Sequence, residues 1–308
     1  MRAATRWRRL VNARLSEMEA LQSGPDPRTQ EFWDSRAHRF AAMTHGTAPT
    51  DPFLRRLMGV VGPESHVVDV GCGPGRFSLP LARRARKVTA VDLSPVMLSL
   101  VRRAAREQGL ANVATVAARW EEARVAAADV LVCSYVLPLV ADAEGFLTRM
   151  EAAREPQQGV AFVYMNALSG DALTDPLWRR FHGRPRRVAP THLDALEVLR
   201  DLGLEAHAEV VEVRNPTRFS SVAEAADHYG DMLLLDQGHK TRSDLEELLG
   251  SWLVGRRGAL RPPLPVVPAA ILRWPWPSAR AARPRPAGGP GGREPERPGV
   301  GPRGGPRS

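Results

Sequence analysis

The stretch Val67 to Arg76, VVDVGCGPGR, constrains the fold more than any other ten residues of the chain. An apolar run ends in an acid, Asp69. Glycines then fall at alternate positions, Gly71, Gly73 and Gly75, and an apolar segment of helical period follows. A strand that breaks into a glycine turn and re-enters a helix is how α/β folds build a crevice for a nucleotide-like ligand.

The rest of the chain repeats that unit. Strands are expected at His66–Val70, Lys87–Asp92, Asn112–Ala117, Asp129–Ser134 and Gly159–Asn166, with helical patterns between them. The helix after the glycine turn is expected to reach Ala85, and Ser94-Pro95 to cap the next one. Alternating strands and helices imply a parallel sheet covered on both faces, with the strand C-termini along one ligand-binding edge. Before this core, Trp7, Val11, Leu15 and Met18 mark an amphipathic helix, and Asp26-Pro27 reads as the start of a second that carries Trp33 and Phe40. After it, Thr191 caps a helix, a strand is expected over 206–214, and Ser221/Glu224 and Ser243/Glu246 have capping-box spacing. Val266–Trp274 reads as a final strand.

Charge is distributed unevenly. The net charge is +9. Residues 1–14 hold five arginines and no acid, and residues 278–308 hold seven arginines against two glutamates, so the body between is close to neutral. Beyond Pro277 the Pro/Gly/Arg composition cannot bury a core, and the segment is expected to be a disordered tail. No apolar run approaches the ~18–20 residues that span a bilayer, so no membrane partner is expected. The two cysteines, Cys72 and Cys133, make no disulfide framework, which suits a reducing, cytoplasmic setting, and both read as small buried residues. The histidines lack ligand spacing, and no metal is expected.

Dinucleotide sites use G-x-G-x-x-G because pyrophosphate must approach the backbone. Here the third glycine comes one residue early, Arg76 follows it, and Asp69 would repel phosphate but suits a cationic ammonium. Asp92 ends the second strand, where a carboxylate can accept bonds from both ribose hydroxyls. At this point the chain resembles the class I S-adenosylmethionine-dependent methyltransferases. The resemblance rests on VVDVGCGPGRFSLPLA (Val67 to Ala82), VTAVDLSPVML (Val88 to Leu98) and DVLVCSYVLPLV (Asp129 to Val140), and the order of elements follows the family from about Phe32 to Asn166.

The resemblance implies a Rossmann-like sheet, mostly parallel, of seven strands with an antiparallel C-terminal strand, flanked by helices. It implies S-adenosyl-L-methionine as cofactor, with Gly71, Gly73 and Gly75 against its amino-acid part, Asp69 toward its amino group and Asp92, next to Leu93, on the ribose. After the third strand the family commonly has an acid followed by a small residue, but this chain has Arg119, Trp120, Glu121 and Glu122. Trp120 either stacks on adenine, with Glu121 near its amino group, or packs in the core. Asp69 and Asp92 also have plain structural uses, bonding loop amides and capping the helix at Ser94. The domain reading is an N-terminal helical lid (1–50), a methyltransferase domain (51–277) with a substrate-side insertion (168–190), and the tail (278–308).

Methyl transfer needs alignment more than acid–base machinery, so the sequence says little about the acceptor. Ser134, on the cofactor side, also belongs with Tyr135, Tyr164, Asn166, Trp178 and His182 as candidate substrate contacts; His182, Tyr135 and Tyr164 are the catalytic candidates. Strand four lacks the N/D-P-P-Y/F signature of many enzymes that methylate amino groups in nucleic acids and proteins. A small-molecule acceptor is therefore expected, nucleic acid is disfavoured though the run Arg179–Arg187 is basic, and oligomeric state is left open. RNA- or protein-directed methylation, cofactor binding without catalysis, and NAD-dependent oxidoreduction are the alternatives.

Overall fold

A computed structural model describes residues 2–21, 26–168, 174–236, 238–256 and 258–275. The first strand, β1 (His66–Val70), has all five residues buried, because it lies in the middle of a sheet covered on both sides. Around it run β2 (Lys87–Asp92), β3 (Val113–Ala117), β4 (Val130–Ser134), β5 (Val160–Asn166), β6 (His207–Arg214) and β7 (Val266–Trp274). Their order is β3-β2-β1-β4-β5-β7-β6. The first five are parallel, and β7 pairs antiparallel with both β5 and β6. This is the expected seven-stranded Rossmann-like sheet. Strand order reverses at β1, whose neighbours are β2 and β4, and a crevice opens outside the strand C-termini at such a point.

Side chains of the central strands alternate between two apolar layers, as period-two geometry requires. Leu131, Cys133, Ala161 and Val163 face one layer, with Trp7, Val11 and Leu15 of α1 (Ala3–Leu21) packed there. Val130, Val132, Val160 and Phe162 face the other, with Phe53, Leu54 and Leu57 packed against them. Those three sit on α3 (Pro52–Met58), a short helix that the sequence reading did not anticipate. Asp51 caps it by accepting from the Phe53 amide at 2.8 Å.

Helix α2 (Gln30–Thr44) starts three residues later than Asp26-Pro27 suggests. The Asp26 carboxylate instead accepts from the Arg28 amide and forms a local turn, and Thr29 is the cap, accepting from Phe32 N at 3.4 Å. The helix after the glycine turn, α4, is confined to Ser78–Ala82, short of Ala85. It is followed by α5 (Pro95–Glu107), capped by Ser94, and α6 (Ala143–Ala153). The segment 168–190 contains a further helix, α7 (Asp175–His182); its residues 169–173 lie outside the described residues, as does the expected tail. Thr191 forms a capping box with Asp194 at the start of α8 (His192–Asp201), and Ser221 caps α9 (Val222–Met232). Helix α10 (His239–Trp252) corrects the expectation for Ser243, which lies inside it. The earlier start lets Arg242 reach Asp227 at 2.6 Å and Glu246 at 3.0 Å. Helices α7, α9 and α10 form an apolar cluster of their own around Trp178, Tyr229 and Leu249.

The N-terminal helices play different parts. Trp7 of α1 is fully buried, its indole donates to the Val140 carbonyl at 2.7 Å, and Arg6 pairs with Asp194 at 2.8 Å on α8. So α1 is a packing helix of the sheet's flank. Helix α2 is tied to the rim of the crevice through the bond from Ser94 Oγ to Asp34.

Candidate functional site

A cavity of about 540 Å³ lies at the strand C-termini. The loops after β1, β2, β3 and β4 and the segment 26–44 all contribute to its wall, so it occupies the position where strand order reverses. Of the sequence-derived cofactor contacts, Asp69, Gly71, Gly73, Asp92, Leu93, Trp120, Glu121 and Ser134 line it. Gly75 does not. A Cβ there would come within 3.2 Å of Leu79 and Val101, so this glycine serves the packing of α5 beneath the loop.

Gly71 and Gly73 keep the wall of the cavity thin. Both have positive φ, +67° and +53°, which a side chain disfavours. At Gly71 a Cβ would also fall 2.2 Å from Val136 Cγ2 on the facing loop. The backbone thus approaches the cavity where a ligand can lie against it. The loop is held from below: the amides of Gly71 and Cys72 donate to the Val91 carbonyl at 2.8 and 3.0 Å.

The two acids each do structural and electrostatic work at once. Asp92 accepts from the Gly73 amide and the Ser94 amide, both at 2.9 Å, one on each oxygen. A carboxylate offers about four acceptor positions, so two remain for a ligand's hydroxyls. Asp69 accepts from Ser78 Oγ at 2.5 Å and is 1% exposed. Burial pushes its carboxyl up to about 6; the Ser78 bond opposes the rise and the charge of Asp92 adds to it. Burial also raises Asp92, against its amide bonds. Both groups are therefore under-compensated in the free protein.

The remaining charges of the wall are largely paired. Arg28 pairs with Asp26, and Arg76 with Asp51 at 2.6 Å. Arg119 donates to the Arg28 carbonyl and ties the loop after β3 to the segment before α2. The wall holds Asp26, Asp69, Asp92, Glu121 and Asp142 against Arg28, Arg76 and Arg119. The excess is acidic and is concentrated deep in the cavity, at Asp69 and Asp92.

Trp120 touches the cavity but is only 5% exposed, and its indole donates to the Phe146 carbonyl at 3.3 Å. It is therefore a core residue with one edge at the site. Tyr135 lines the cavity, and Tyr164 stands behind it, fully buried and bonded to Asp51. Asn166, Trp178 and His182 are not among the lining residues. Trp178 is fully buried in the α7 cluster, and His182 stacks on it at 4.0 Å with Nε2 against the Leu233 carbonyl at 2.8 Å. The sequence reading missed Thr44, and it took Asp26-Pro27 as a helix start rather than as part of the cavity wall. Asp26-Pro27 carried a turn signal, whereas Thr44 carries no local pattern.

The carboxylate pair yields a testable consequence. The folded pKa of Asp69 lies above its ordinary value of 3.8. Its ionised form therefore destabilises the free protein above pH about 6, and the penalty fades as pH falls toward 4. A rise of about two units is worth about 3 kcal/mol. Asp69→Asn keeps an acceptor for Ser78 and should raise the unfolding free energy of the free protein by about 1–3 kcal/mol at pH 8. The gain should fall to about half at pH 5. Urea unfolding at both pH values measures it, and equal gains at both would refute the desolvated carboxylate.

Residues 67–157 match the family model described as a methyltransferase domain. An uncharacterized protein of Haemophilus influenzae is 26% identical over 186 residues, 59% of this chain and 67% of its own length. A ubiquinone biosynthesis O-methyltransferase of Methylocella silvestris is 37% identical over 85 residues, 27% of this chain and 32% of that enzyme. The chain thus matches about a third of the length of that named relative. Among solved structures, the [4+2]-cyclase SpnF is similar in fold, with TM-score 0.52 at 17% identity, covering 79% of this chain and 93% of that one. That likeness concerns the fold alone. S-adenosylmethionine is the cofactor implied by the matched family. The donor set fits it: the cofactor's ammonium and sulfonium outnumber its one carboxylate, and the cavity offers two buried acids with no ion-pair partner among the described residues.

Proposed function

We propose that this chain, which carries a methyltransferase domain match over residues 67–157, is a class I S-adenosylmethionine-dependent methyltransferase that transfers a methyl group to a small-molecule acceptor by in-line displacement. The observation that carries the acceptor class is the charge of the cavity. Its arginines are engaged by Asp26, Asp51 and a backbone carbonyl, while Asp69 and Asp92 have no cationic partner among the described residues. A phosphate-bearing acceptor entering here would meet net negative charge, whereas a compact neutral one would not.

When bound, S-adenosylmethionine supplies a methyl group already activated by its sulfonium. The chain's own residues then bind, orient and exclude water. In this reading Asp92 holds the ribose hydroxyls and Asp69 faces the amino group. Gly71 and Gly73 let the backbone lie against the ligand. Trp33 and Phe40 of α2, in edge contact at 6.2 Å, shield the opening, and Ser134 and Tyr135 stand at the end of β4 on the acceptor side. Trp120 and Glu121 border the adenine end. Helix α2 thus takes the part of a lid, and α1 does not.

The test is transfer of label from methyl-tritiated S-adenosylmethionine, with a small-molecule metabolite extract and total RNA offered separately. Label should enter the metabolite fraction and leave RNA blank. Label in RNA alone would replace this reading with a nucleic-acid one, served by the exposed Arg179, Arg180, Arg184 and Arg187.

A further inference from the structure

The cofactor implied for this cavity carries both an ammonium and a carboxylate at its amino-acid end. Asp69 suits the ammonium, and the carboxylate needs donors of its own once it leaves water. Backbone amides of a glycine loop can cradle an anion. In this loop they are consumed within the protein. The Gly71 and Cys72 amides both donate to the Val91 carbonyl, and the Gly73 amide donates to Asp92 at 2.9 Å. Pro74 has no N–H, and the Gly75 amide donates to the Cys72 carbonyl at 3.1 Å.

The cationic donors of the wall are Arg28, Arg76 and Arg119. Arg28 is clamped on the Asp26 carboxylate through Nε and Nη2. Arg119 reaches in from the loop after β3, two strands away from the strand that feeds the glycine loop. Arg76 directly follows the last loop glycine, so it stands at the amino-acid end.

The Arg76 guanidinium is fixed but only partly used. Its Nε donates to Thr47 Oγ1 at 2.9 Å and its Nη2 to Asp51 Oδ2 at 2.6 Å, and Cζ lies 4.8 Å from the centre of the Phe77 ring. Asp51 is itself immobile. Its side chain is fully buried, and Oδ1 accepts from the Phe53 amide at 2.8 Å and from Tyr164 Oη at 3.1 Å. A guanidinium carries five N–H groups. Two are engaged, so three remain on Nη1 and Nη2, with no partner among the described residues. The side chain keeps 18% of its surface exposed where it lines the cavity. A donor already frozen by its neighbours binds an anion without the entropic cost of ordering a long side chain.

We infer that Arg76 holds the carboxylate of S-adenosylmethionine, with Asp51, Thr47 and Phe77 positioning its guanidinium. This rests on the methyltransferase reading and deepens it. The cofactor's amino-acid end is read by one acid before the loop glycines and one arginine after them, not by the loop amides. Charges then alternate from Asp69 through the ligand's ammonium and carboxylate to Arg76 and Asp51, so each has an opposite partner in a site that excludes water.

The test is titration calorimetry of the full chain with S-adenosylhomocysteine and with its decarboxylated analogue, which keeps the ammonium and lacks the carboxylate. The parent protein should bind the analogue about 10- to 100-fold more weakly, the loss of one or two hydrogen bonds to a charged group. Arg76→Met alone would strand the buried Asp51 charge, so it is combined with Asp51→Asn, whose Oδ1 still accepts from Phe53 and Tyr164. The double variant should lose the same factor for S-adenosylhomocysteine and bind the analogue within about twofold of the parent. Arg76→Lys keeps a cation beside Asp51 without the planar fork and should fall between the two. If the double variant does not unfold cooperatively in urea, the selective loss in Arg76→Lys carries the test. Equal affinity of the parent for both ligands, or variants that weaken both ligands alike or neither, overturns the inference while the methyltransferase reading stands. Failure of both ligands to bind the parent protein overturns that reading itself.

Discussion

Asp92→Ala is expected to weaken S-adenosylmethionine binding by at least about 100-fold. The carboxylate does two things that alanine cannot. It holds the Gly73 and Ser94 amides, which set the loop and the start of α5, and it keeps two further acceptor positions toward the cavity. Losing hydrogen bonds from a charged acceptor costs about 1.5–3 kcal/mol each, and two such bonds to a ribose give the expected factor. Asp92→Asn separates the two tasks. Its amide oxygen can still accept from one backbone amide, but its amide nitrogen cannot accept from the other or from a hydroxyl. Titration calorimetry should therefore find both variants weak, with the asparagine protein intermediate. Unchanged affinity in Asp92→Ala would remove this residue from the site.

Gly71→Ala is the second large effect. The residue stands at φ +67°, and its Cβ would lie 2.2 Å from Val136 Cγ2. A left-handed conformation costs an alanine about 1–2 kcal/mol, and forcing Val136 aside adds about 1–3 kcal/mol. Because Val136 sits on the loop that carries Tyr135, the displacement also reaches the acceptor side of the cavity. Destabilisation of about 2–5 kcal/mol is expected, with cofactor binding lost. Gly73→Ala is the control: φ is +53°, but the nearest neighbour of its Cβ is Phe40 at 3.6 Å, an ordinary contact. It should retain most of its stability. Equal unfolding free energies for the two variants, measured in urea, would show that the Val136 contact does not matter.

The parts of this molecule legible in its sequence are those where one short segment carries the whole signal. Strands β1 and β2 coincide with the expected spans because each is an apolar run bounded by polar or glycine residues and buried on both faces. The glycine loop and its two acids are equally local, and the same residues that suggested a ligand also do structural work. Asp69 bonds Ser78, and Asp92 holds Ser94, so a structural use and a place in the cavity wall coexist. Where tertiary contacts decide, local pattern misled. Ser243 has a capping partner at the right spacing, yet α10 begins at His239 and Arg242 pairs across to α9. His182 is a catalytic candidate by sequence, but Trp178 and the Leu233 carbonyl engage it away from the cavity wall. The bond between Tyr164 and Asp51 spans 113 residues, and nothing in either neighbourhood announces it.

The account turns on what the glycine crevice between β1 and β4 holds. Calorimetry of the full chain with S-adenosylmethionine, S-adenosylhomocysteine and NADH tests that directly. The two sulfur ligands should bind one per chain and NADH should give no heat of binding, because its pyrophosphate would have to lie against Asp69 and Asp92. Binding of NADH without the other two would contradict the account.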